Sequence, residues 1–408
     1  MASSAERLFY VLLDGIQEGS LIVRDPDGRE RTVGAKETTP HVRVSIHHRD
    51  LYGRLLRDSG LGLGESYVDG WWDMESGRIV DLLALVHRND ITSRVRGDLR
   101  LKGRVLARHG RTLPTRARSR RNAQFHYDLG NEFFRLFLDE SMTYSCAYQR
   151  QPDDTLHQMQ MQKYDLICRK LDLQPDERLI DLGCGWGAML VYAAKNYGIQ
   201  GLGVTLSTQQ QAWARRWIAE EGLSRRLEVR LLDYRQITGT YDKLVSIGMF
   251  EHVGKRYFPA FMAKAHELLK PGGIGLLHTM GTAGSRHPGA WLSTHIFPGT
   301  CLPRLEDLAQ QMRRADLVVG HIENWKLHYA ETARHWHDNF HANRKRILAL
   351  GGRYDERFLR AWTYYLQLLE AGFRHDVLQL YQVLFCQGYE WTLPLTFDFS
   401  AREAAGIG

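Results

Sequence analysis

The sequence predicts an α/β protein whose main domain is a doubly wound, mainly parallel sheet, preceded by a smaller α+β domain. Strands and helices alternate from residue 178 to about residue 325, as in parallel sheets with helical crossovers. A glycine-rich turn, DLGCGWG, joins the first of these strands to a helix. The chain of 408 residues is longer than one typical domain, and its 43% hydrophobic content excludes global disorder.

The first 92 residues mix short strands with short helices. GSLIVRDPDGRERTVG predicts two strands around a Pro-Asp-Gly turn, and HVRVSIH alternates like a strand with one covered face. DLYGRLLRDSG predicts a helix. After it come a glycine-rich break, the pair Trp71–Trp72 and the amphipathic helix RIVDLLALVHR. Two interpretations of the Trp pair remain: it belongs to a buried core, or it forms part of a lipid-facing apolar surface. We interpret residues 1–92 as an N-terminal domain.

A strongly basic segment follows. Between Arg94 and Arg121 eleven Lys or Arg residues accompany one acid, Asp98, whereas the whole chain has a net charge of only +7. Such a segment predicts docking to a polyanion. Anionic lipid headgroups attract basic residues by ~1 kcal/mol each, nucleic acid is the competing partner, and a solvated linker is the third interpretation. We call residues 93–121 the basic linker.

Membrane-spanning and disulfide-rich classes are both disfavoured. No apolar run approaches the ~20 residues of a membrane helix, and the N-terminal LFYVLL is short and followed by Asp14. Five cysteines lie far apart in the chain, which argues against a disulfide framework and a structural zinc site. We therefore expect a cytoplasmic protein.

Residues 122–408 form the predicted main domain. Its first segment, RNAQFHYDLGNEFFRLFLDESMTYSCAY, is interpreted as a lid over a pocket, although core packing accounts for most of its Phe residues. The expected strands are 178–184, 198–206, 227–233, 241–248, 274–281, 315–325 and 378–387. The expected helices are 162–173, 207–221, 257–269, 304–314 and several between 331 and 372.

The glycine turn predicts a nucleotide-like ligand. Gly183-x-Gly185-x-x-Ala188 loosely fits the dinucleotide fingerprint, but the second strand ends in Thr205 and Leu206, without the acid that holds ribose. Instead, an acid, Asp233, closes the third strand, and Tyr234 follows it. The Asp233 carboxylate can accept a hydrogen bond from the adenine amino group, while the ring of Tyr234 packs against the base. This pattern favours S-adenosylmethionine over NAD, and the missing Walker lysine argues against ATP.

Several ordered motifs together resemble the bacterial cyclopropane-fatty-acyl-phospholipid synthase family, within the mycolic acid cyclopropane synthase superfamily. They are YSCAY, DLGCGWG, GVTLSTQQ, SIGMFEHVG, LLHTMG and IFPGTCLP, and GLGESYVDGWW resembles that family's N-terminal domain. The resemblance implies a Rossmann-like class I methyltransferase with a seven-stranded sheet. It also implies methylene transfer from S-adenosylmethionine to a cis double bond of an unsaturated acyl chain in a membrane phospholipid.

The same resemblance implies the residues that hold the cofactor. Gly183 and Gly185 let the backbone approach the amino acid part of S-adenosylmethionine. For Thr205 and Gln210, capping of the following helix is the alternative interpretation. The implied cofactor residues come from the lid, the turn and the next strand ends: Tyr144, Ser145, Asp181, Gly183, Gly185, Thr205, Leu206, Gln210, Asp233 and Tyr234.

The reaction needs a base, because methyl transfer to an alkene leaves a carbocation that must lose a proton before the ring closes. In the family that base is a bicarbonate ion. Its implied ligands are Cys146, Glu251, His278, the backbone of Met280, and Tyr329. A Cys-His-Glu set also occurs in zinc sites and around cysteine nucleophiles, but the spacing fits no zinc template, so we expect no metal. His252 is assigned a structural role.

The resemblance also implies partners and alternatives. We expect a homodimer that is peripheral on the inner membrane surface, docked through the basic linker and the N-terminal domain, with no nucleic acid partner. Related enzymes make methylene- or methyl-branched fatty acids, modify mycolic acids or methylate small amines. The N-terminal domain favours the phospholipid enzyme over the last two. A non-catalytic binding protein of the same fold is disfavoured by intact Cys146, Glu251 and His278.

Overall fold

A computed structural model describes residues 3–35, 37–91, 129–284, 290–375, 377–390 and 393. The basic linker lies outside these described residues. The strands are β1 Ser20–Arg24, β2 Glu30–Gly34, β3 His41–Ile46, β4 Trp72–Ser76, β5 Arg178–Leu182, β6 Gln200–Thr205, β7 Leu227–Leu231, β8 Tyr241–Ile247, β9 Leu269–Thr282, β10 Leu317–Asn324 and β11 Leu378–Gln387. The α-helices are α1 Ser4–Leu13, α2 Asp50–Arg57, α3 Ser59–Val68, α4 Ile79–Arg88, α5 Asn131–Phe134, α6 Leu156–Lys170, α7 Ala188–Tyr197, α8 Thr208–Glu220, α9 Phe258–Leu268, α10 Leu305–Arg314, α11 Lys326–Ala342, α12 Arg344–Ala349 and α13 Glu356–His375.

The chain divides into two compact units that are not contiguous in sequence. One contains the described residues within 1–113, 286–298 and 333–377, and the other contains those within 114–285, 299–332 and 378–408. This division differs from the expected boundaries at residues 92 and 122, because α13 packs with the N-terminal helices. The amide oxygen of Gln367 accepts from the backbone N–H of Ile79 at 2.8 Å, and Arg78 pairs with Glu370 at 2.8 Å.

The first unit is built on a four-stranded sheet in the order β2-β1-β3-β4. The predicted strands around the Pro-Asp-Gly turn and over HVRVSIH are both present. The predicted glycine-rich break is wrong, since Gly62 and Gly64 lie inside α3. A Cβ on Gly62 would lie 3.0 Å from the carbonyl oxygen of Arg54, so small residues here allow α2 and α3 to pack closely. Trp72 is buried in this core, only 2% exposed.

The second unit is built on a seven-stranded sheet in the order β10-β11-β9-β8-β5-β6-β7. Strands β5 to β9 pair in parallel, and β11 pairs antiparallel with β9 and β10. One hydrophobic cluster packs α6, α7 and α8 on one face, and another packs α9 and α10 on the opposite face. The predicted doubly wound, mainly parallel α/β sheet is thus confirmed, and ligands of such sheets bind at the carboxyl ends of the strands.

No helix in the part of the chain that the structure describes is both long and apolar enough to cross a membrane.

Candidate active site at the carboxyl edge of the sheet

The glycine turn, residues 183–187, follows β5 directly. Gly183 and Gly185 have φ angles of +94° and +54°, a region that side chains with a Cβ disfavour. A Cβ on Gly183 would lie 2.7 Å from Cγ of Met249, whereas a Cβ on Gly185 would meet no atom of the described residues, apart from its two chain neighbours, within 4 Å. Among the described residues, nothing therefore blocks the approach of a ligand to the backbone at Gly185.

The predicted lid contacts this turn. Trp186 donates its indole N–H to Oδ1 of Asn131 at 2.9 Å, and its ring lies 5.1 Å from that of Phe134. The ring of Tyr144 packs 5.4 Å from Phe134. Phe134 is fully buried. The described part of the segment thus provides core packing and also covers the glycine turn.

An aspartate that the sequence reasoning missed shapes the lid. The Asp139 carboxylate accepts from the backbone N–H groups of Ser141 and Thr143, each at 3.1 Å, which fixes the turn that precedes Tyr144. His157 bonds the same carboxylate at 3.0 Å, and this hydrogen bond raises the pKa of His157. The pattern Asp-x-Ser-x-Thr, in which an Asp side chain bonds backbone two residues on, was the available signal.

A fully buried lysine, also missed, lies beneath the lid. Lys163 is 0% exposed and its ammonium donates to the Ser145 hydroxyl at 2.9 Å. Burial lowers the pKa of Lys163 to about 7, against the attraction of nearby Cys146, Asp139 and Asp181. A lysine among the apolar positions of α6 was the sequence signal, because lysines are rarely fully buried without a function or a partner.

Asp181 lies inside the sheet, one residue before the end of β5. It is 2% exposed, and its Oδ1 has no hydrogen-bond partner among the described residues. Because side chains alternate along a strand, Asp181 shares the face of Leu179, which packs with α6. Burial raises the pKa of Asp181 to about 7, although the Lys163 charge lowers it. Its predicted contact with the cofactor stays a prediction.

The end of β6 holds a pair of mutually bonded side chains. The Thr205 hydroxyl donates to the Gln210 amide oxygen at 2.7 Å, and both residues are buried. The cap of α8 is Ser207, whose hydroxyl accepts from the backbone N–H of Gln210. Thr205 and Gln210 therefore stabilise the helix start alongside this cap, while Leu206 between the two elements is half-buried.

Asp233 follows β7, where the sequence places it, but its carboxylate is already engaged. It accepts from the backbone N–H of Arg235 at 3.0 Å and from Nε of the same residue at 2.7 Å. The Tyr234 ring packs 5.4 Å from Phe261. An adenine contact at Asp233 has to use a carboxylate lone pair that Arg235 leaves available.

We define the reaction-side cluster as Glu251, His278, Thr279 and Met280. The register pairs His278 with Ile247, the last residue of β8, so the cluster lies at the same edge as the glycine turn. Glu251 is 3% exposed and accepts from the Thr279 hydroxyl at 2.8 Å and from the Met280 N–H at 3.3 Å. The backbone donor predicted to bind an anion thus contacts Glu251.

His278 presents an unmatched polar atom to this edge. It is 1% exposed, its Nδ1 lies 3.2 Å from the side-chain nitrogen of Gln382, and its Nε2 has no partner among the described residues. Burial, together with Lys163 and Lys170, holds the pKa of His278 well below its usual range. His278 is therefore a neutral imidazole at physiological pH.

Cys146 and Tyr329 are linked to the cluster through α11. The Cys146 thiol is fully buried, and burial raises its pKa, so it is uncharged. The neighbouring Ala147 N–H donates to the Thr332 hydroxyl at 2.9 Å, one helical turn beyond Tyr329. The Trp325 ring, one turn before Tyr329, lies 5.4 Å from His278. The structure thus brings lid, α11 and β9 together.

Two further sequence predictions concern this region. The Nδ1 of His252 lies 3.2 Å from the Thr300 hydroxyl, which agrees with its assigned structural role. Within the described ranges, no group of three or more His, Cys, Asp or Glu side chains is arranged to hold a metal ion.

Comparison with known proteins identifies the family. Residues 115–383 match the profile of mycolic acid cyclopropane synthetase. The chain is 37% identical over 352 residues to the cyclopropane-fatty-acyl-phospholipid synthase of Escherichia coli K12, covering 85% of this chain and 88% of that protein. It is 36% identical to the tuberculostearic acid methyltransferase UfaA1 of Mycobacterium tuberculosis, covering 85% and 82% of the two chains.

Solved structures agree with this result. The crystal structure of the mycolic acid cyclopropane synthase CmaA1 complexed with SAH and CTAB superimposes with a TM-score of 0.62 at 33% identity, over 67% of this chain and 99% of that one. The cyclopropane synthase MmaA2 from Mycobacterium tuberculosis gives the same TM-score at 32% identity, over 65% and 98%. The chain therefore belongs to the mycolic acid cyclopropane synthetase family and has the fold of its S-adenosylmethionine-dependent methyltransferases.

Proposed function

We propose that this protein transfers a methylene group from S-adenosylmethionine to the cis double bond of unsaturated acyl chains in membrane phospholipids, forming a cyclopropane ring. The observation that supports this most strongly is the reaction-side cluster, in which a buried acid and a buried, unmatched histidine lie at the same sheet edge as the open glycine turn. The Escherichia coli relative, matched over 88% of its length, is named for this activity.

S-adenosylmethionine supplies an electrophilic methyl group on a sulfonium. The alkene π electrons form the new carbon–carbon bond while the carbon–sulfur pair leaves with the sulfur, which gives S-adenosylhomocysteine and a carbocation. Loss of a proton from the new methyl group then provides the electron pair that closes the ring. The glycine turn and the lid, which contact each other through Trp186, position the cofactor and exclude water from the cation.

The residues around the cation must stabilise it without attacking it. The Cys146 thiol stays protonated because burial raises its pKa, so it is a poor nucleophile. His278 stays neutral because burial lowers its pKa. Aromatic rings occur on both sides of this region: Tyr144 packs on Phe134 in the lid and Trp325 packs edge-on against His278. A ring face turned toward the cation would stabilise it without attacking it.

The reaction-side cluster offers the types of donor and acceptor that a small oxyanion needs. His278 Nε2 is buried and has no partner in the described part of the chain, so it can donate to an anion, while Glu251 accepts and can receive a proton donor of that anion. Bicarbonate has both acceptor oxygens and one hydroxyl donor. When bound, it would supply the base, with Cys146 and Tyr329 as further proposed ligands. The Met280 N–H, which now donates to Glu251, would have to be shared with the anion.

The product of one reaction tests the main proposal. Purified protein is incubated with S-adenosylmethionine and vesicles of an unsaturated phospholipid, and the released fatty acid esters are analysed by gas chromatography–mass spectrometry and proton NMR. Upfield ring protons are expected. Vesicles of a fully saturated phospholipid are the matched control and give no product. A failure to add mass to the unsaturated chain, with cofactor bound, contradicts the proposal.

A methyl- or methylene-branched product is the second candidate. The tuberculostearic acid methyltransferase, similar over 85% of this chain, supports it, because the two reactions differ only in the fate of the carbocation. Vinylidene or branched-methyl proton signals in the same experiment assign the protein to this alternative.

The base is tested separately. Turnover is measured in buffer freed of carbon dioxide and then with added bicarbonate. We expect activity to fall without bicarbonate and to return when it is added. Equal activity at all bicarbonate concentrations contradicts the proposed base while leaving the product assignment intact.

We further propose that the enzyme is a cytoplasmic homodimer that binds the inner membrane surface through the basic linker and the N-terminal residues. Neutralising Arg116, Arg118, Arg120 and Arg121 is expected to weaken sedimentation with anionic vesicles and to leave turnover on detergent-dispersed lipid nearly unchanged. Equal loss on both contradicts membrane docking.

Light scattering coupled to size-exclusion chromatography tests the dimer, since a single monomeric species contradicts it.

A further inference from the structure

A chain of buried polar groups lies behind His278, on the face of the sheet that packs against α6. His278 of β9 and Gln382 of β11 are direct partners in the antiparallel register, and each is 1% exposed. Lys170, the last residue of α6, is 2% exposed and reaches the same point. Buried polar groups are usually hydrogen-bonded. We therefore assign which atom donates and which accepts in each hydrogen bond of this chain.

The assignment of donors and acceptors starts at Lys170. Its ammonium donates to Oε2 of Glu323 at 2.7 Å and to Oε1 of Gln382. An ammonium has three donors and no acceptor, so the Gln382 atom that faces it must be the carbonyl oxygen. This resolves the orientation of an amide whose two ends otherwise look alike.

The amide nitrogen of Gln382 then faces Nδ1 of His278 at 3.2 Å. Because that nitrogen can only donate, Nδ1 must carry its lone pair, and the single proton of the neutral imidazole resides on Nε2. A doubly protonated ring would set two donors against each other at this contact. The buried site thus selects one tautomer.

The selected tautomer leaves one buried N–H to be satisfied. Nε2 is the atom of His278 without a partner among the described residues, and leaving a buried donor unmatched is costly. We propose that Gln382 and Lys170 are positioning residues that hold His278 as a neutral Nε2–H donor for the anionic base, so that His278 binds the base and does not act as the base. This inference rests on the proposed function in taking that anion as its acceptor.

Histidine-labelled protein, with cofactor and lipid absent, provides a readout that does not depend on turnover. Long-range ¹H–¹⁵N spectra distinguish a protonated ring nitrogen from one with a lone pair, and the His278 signals are assigned by their absence in His278→Asn. We expect Nε2 to be protonated and Nδ1 to carry a lone pair. A proton on Nδ1 of the folded wild-type protein overturns the inference.

Gln382→Glu tests the assigned cause with almost no change of shape. Its carboxylate can only accept, so Nδ1 of His278 is expected to gain a proton in this variant. Lys170→Met, which releases the amide of Gln382, is expected to give a mixture of tautomers. The matched control is Gln379→Glu on the same strand, because Gln379 bonds Asn324 and is not a neighbour of His278; its spectrum should match wild type.

Activity completes the test. Gln382→Glu is expected to lower turnover more than ten-fold at low bicarbonate, with less than a two-fold change in S-adenosylhomocysteine affinity. An unchanged His278 spectrum in a folded Gln382→Glu protein overturns the inference, and if that variant does not fold, the wild-type and Lys170→Met spectra decide. A correct tautomer in a protein that forms no cyclopropane product contradicts the proposed function alone.

Discussion

The reaction-side cluster and the glycine turn lie at the same edge of one sheet, yet they are built in different ways. The cluster depends on side chains with matched donors and acceptors, such as Glu251 with Thr279 and His278 with Gln382. The turn depends on the absence of side chains, since a Cβ on Gly185 would meet no neighbour within 4 Å in the part of the chain that the structure describes. Chemistry at this edge therefore needs particular functional groups, whereas binding needs room for a ligand to approach the backbone.

The largest expected effect is at the reaction-side cluster. His278→Ala removes the unmatched donor and should lower turnover about 10²–10³-fold, the usual loss for one preorganised donor to an anion, with cofactor affinity within two-fold of wild type. Rates are measured with the vesicle assay and affinity by calorimetry with S-adenosylhomocysteine. Full turnover in this variant would falsify the catalytic assignment. A loss of S-adenosylhomocysteine affinity without a loss of turnover would show that the cluster serves binding, as the glycine turn does.

The next effect concerns Lys163, whose charge acts on both regions. Burial brings both pKa values to about 7, from above for Lys163 and from below for Asp181, so the two opposite charges are present together only near pH 7. Lys163→Met removes the charge that opposes the Asp181 carboxylate there, which should lower the free energy of unfolding by about 1–3 kcal/mol at pH 7. At pH 5 Asp181 is protonated and Lys163 is a buried charge without an ionised partner, so the loss should vanish or change sign.

Urea unfolding at the two pH values measures this difference. The double variant Lys163→Met with Asp181→Asn should recover most of the loss at pH 7. Lys195→Met is the matched control, because it removes an exposed pair with Glu221 and should change stability by less than about 1 kcal/mol. Equal losses at both pH values would show that the two buried groups are not coupled.

A smaller effect isolates the glycine turn. Gly185→Ala adds a methyl group with no described neighbour beyond its adjacent residues within 4 Å, so stability should fall by only about 1 kcal/mol for the left-handed backbone. Cofactor affinity should fall at least ten-fold if the ligand occupies that space. Gly222→Ala is the control: it has φ of +70° and equally open surroundings, and its cofactor affinity should stay at the wild-type value.

The smallest effect is at the base of the lid. The hydrogen bond to Asp139 raises the pKa of His157 above its ordinary value of 6.5, so the pair contributes stability that is complete below that value and is lost as pH rises through the folded-state pKa. Because the His157 side chain is 40% exposed, solvent screening limits the effect to roughly 0.5 kcal/mol. His157→Gln should therefore reduce stability at pH 5.5 and not at pH 9, as measured by urea unfolding; a loss of the same size at pH 9 would assign it to packing.

The two regions also differ in how well the sequence predicted them. DLGCGWG identified the turn, because closely spaced glycines between a strand and a helix are typical of a backbone that approaches a nucleotide-like ligand. The predicted residues of the reaction-side cluster came from a resemblance, since a lone His or Glu is usually structural. Asp139, Lys163, Lys170 and Gln382 were not predicted at all. Their roles depend on neighbours far away in sequence, such as Lys170 and Gln382, which are 212 residues apart.

The sequence by itself determined the glycine turn and the succession of strands and helices along the main domain, because these follow from periodicity and local backbone preference. The tertiary structure decided that α3 continues through its glycines, that 333–377 belong with the N-terminal unit, and which proton His278 carries. The physical reason is that packing distance and hydrogen-bond direction are properties of paired groups. Local sequence cannot specify them until the fold brings both partners together.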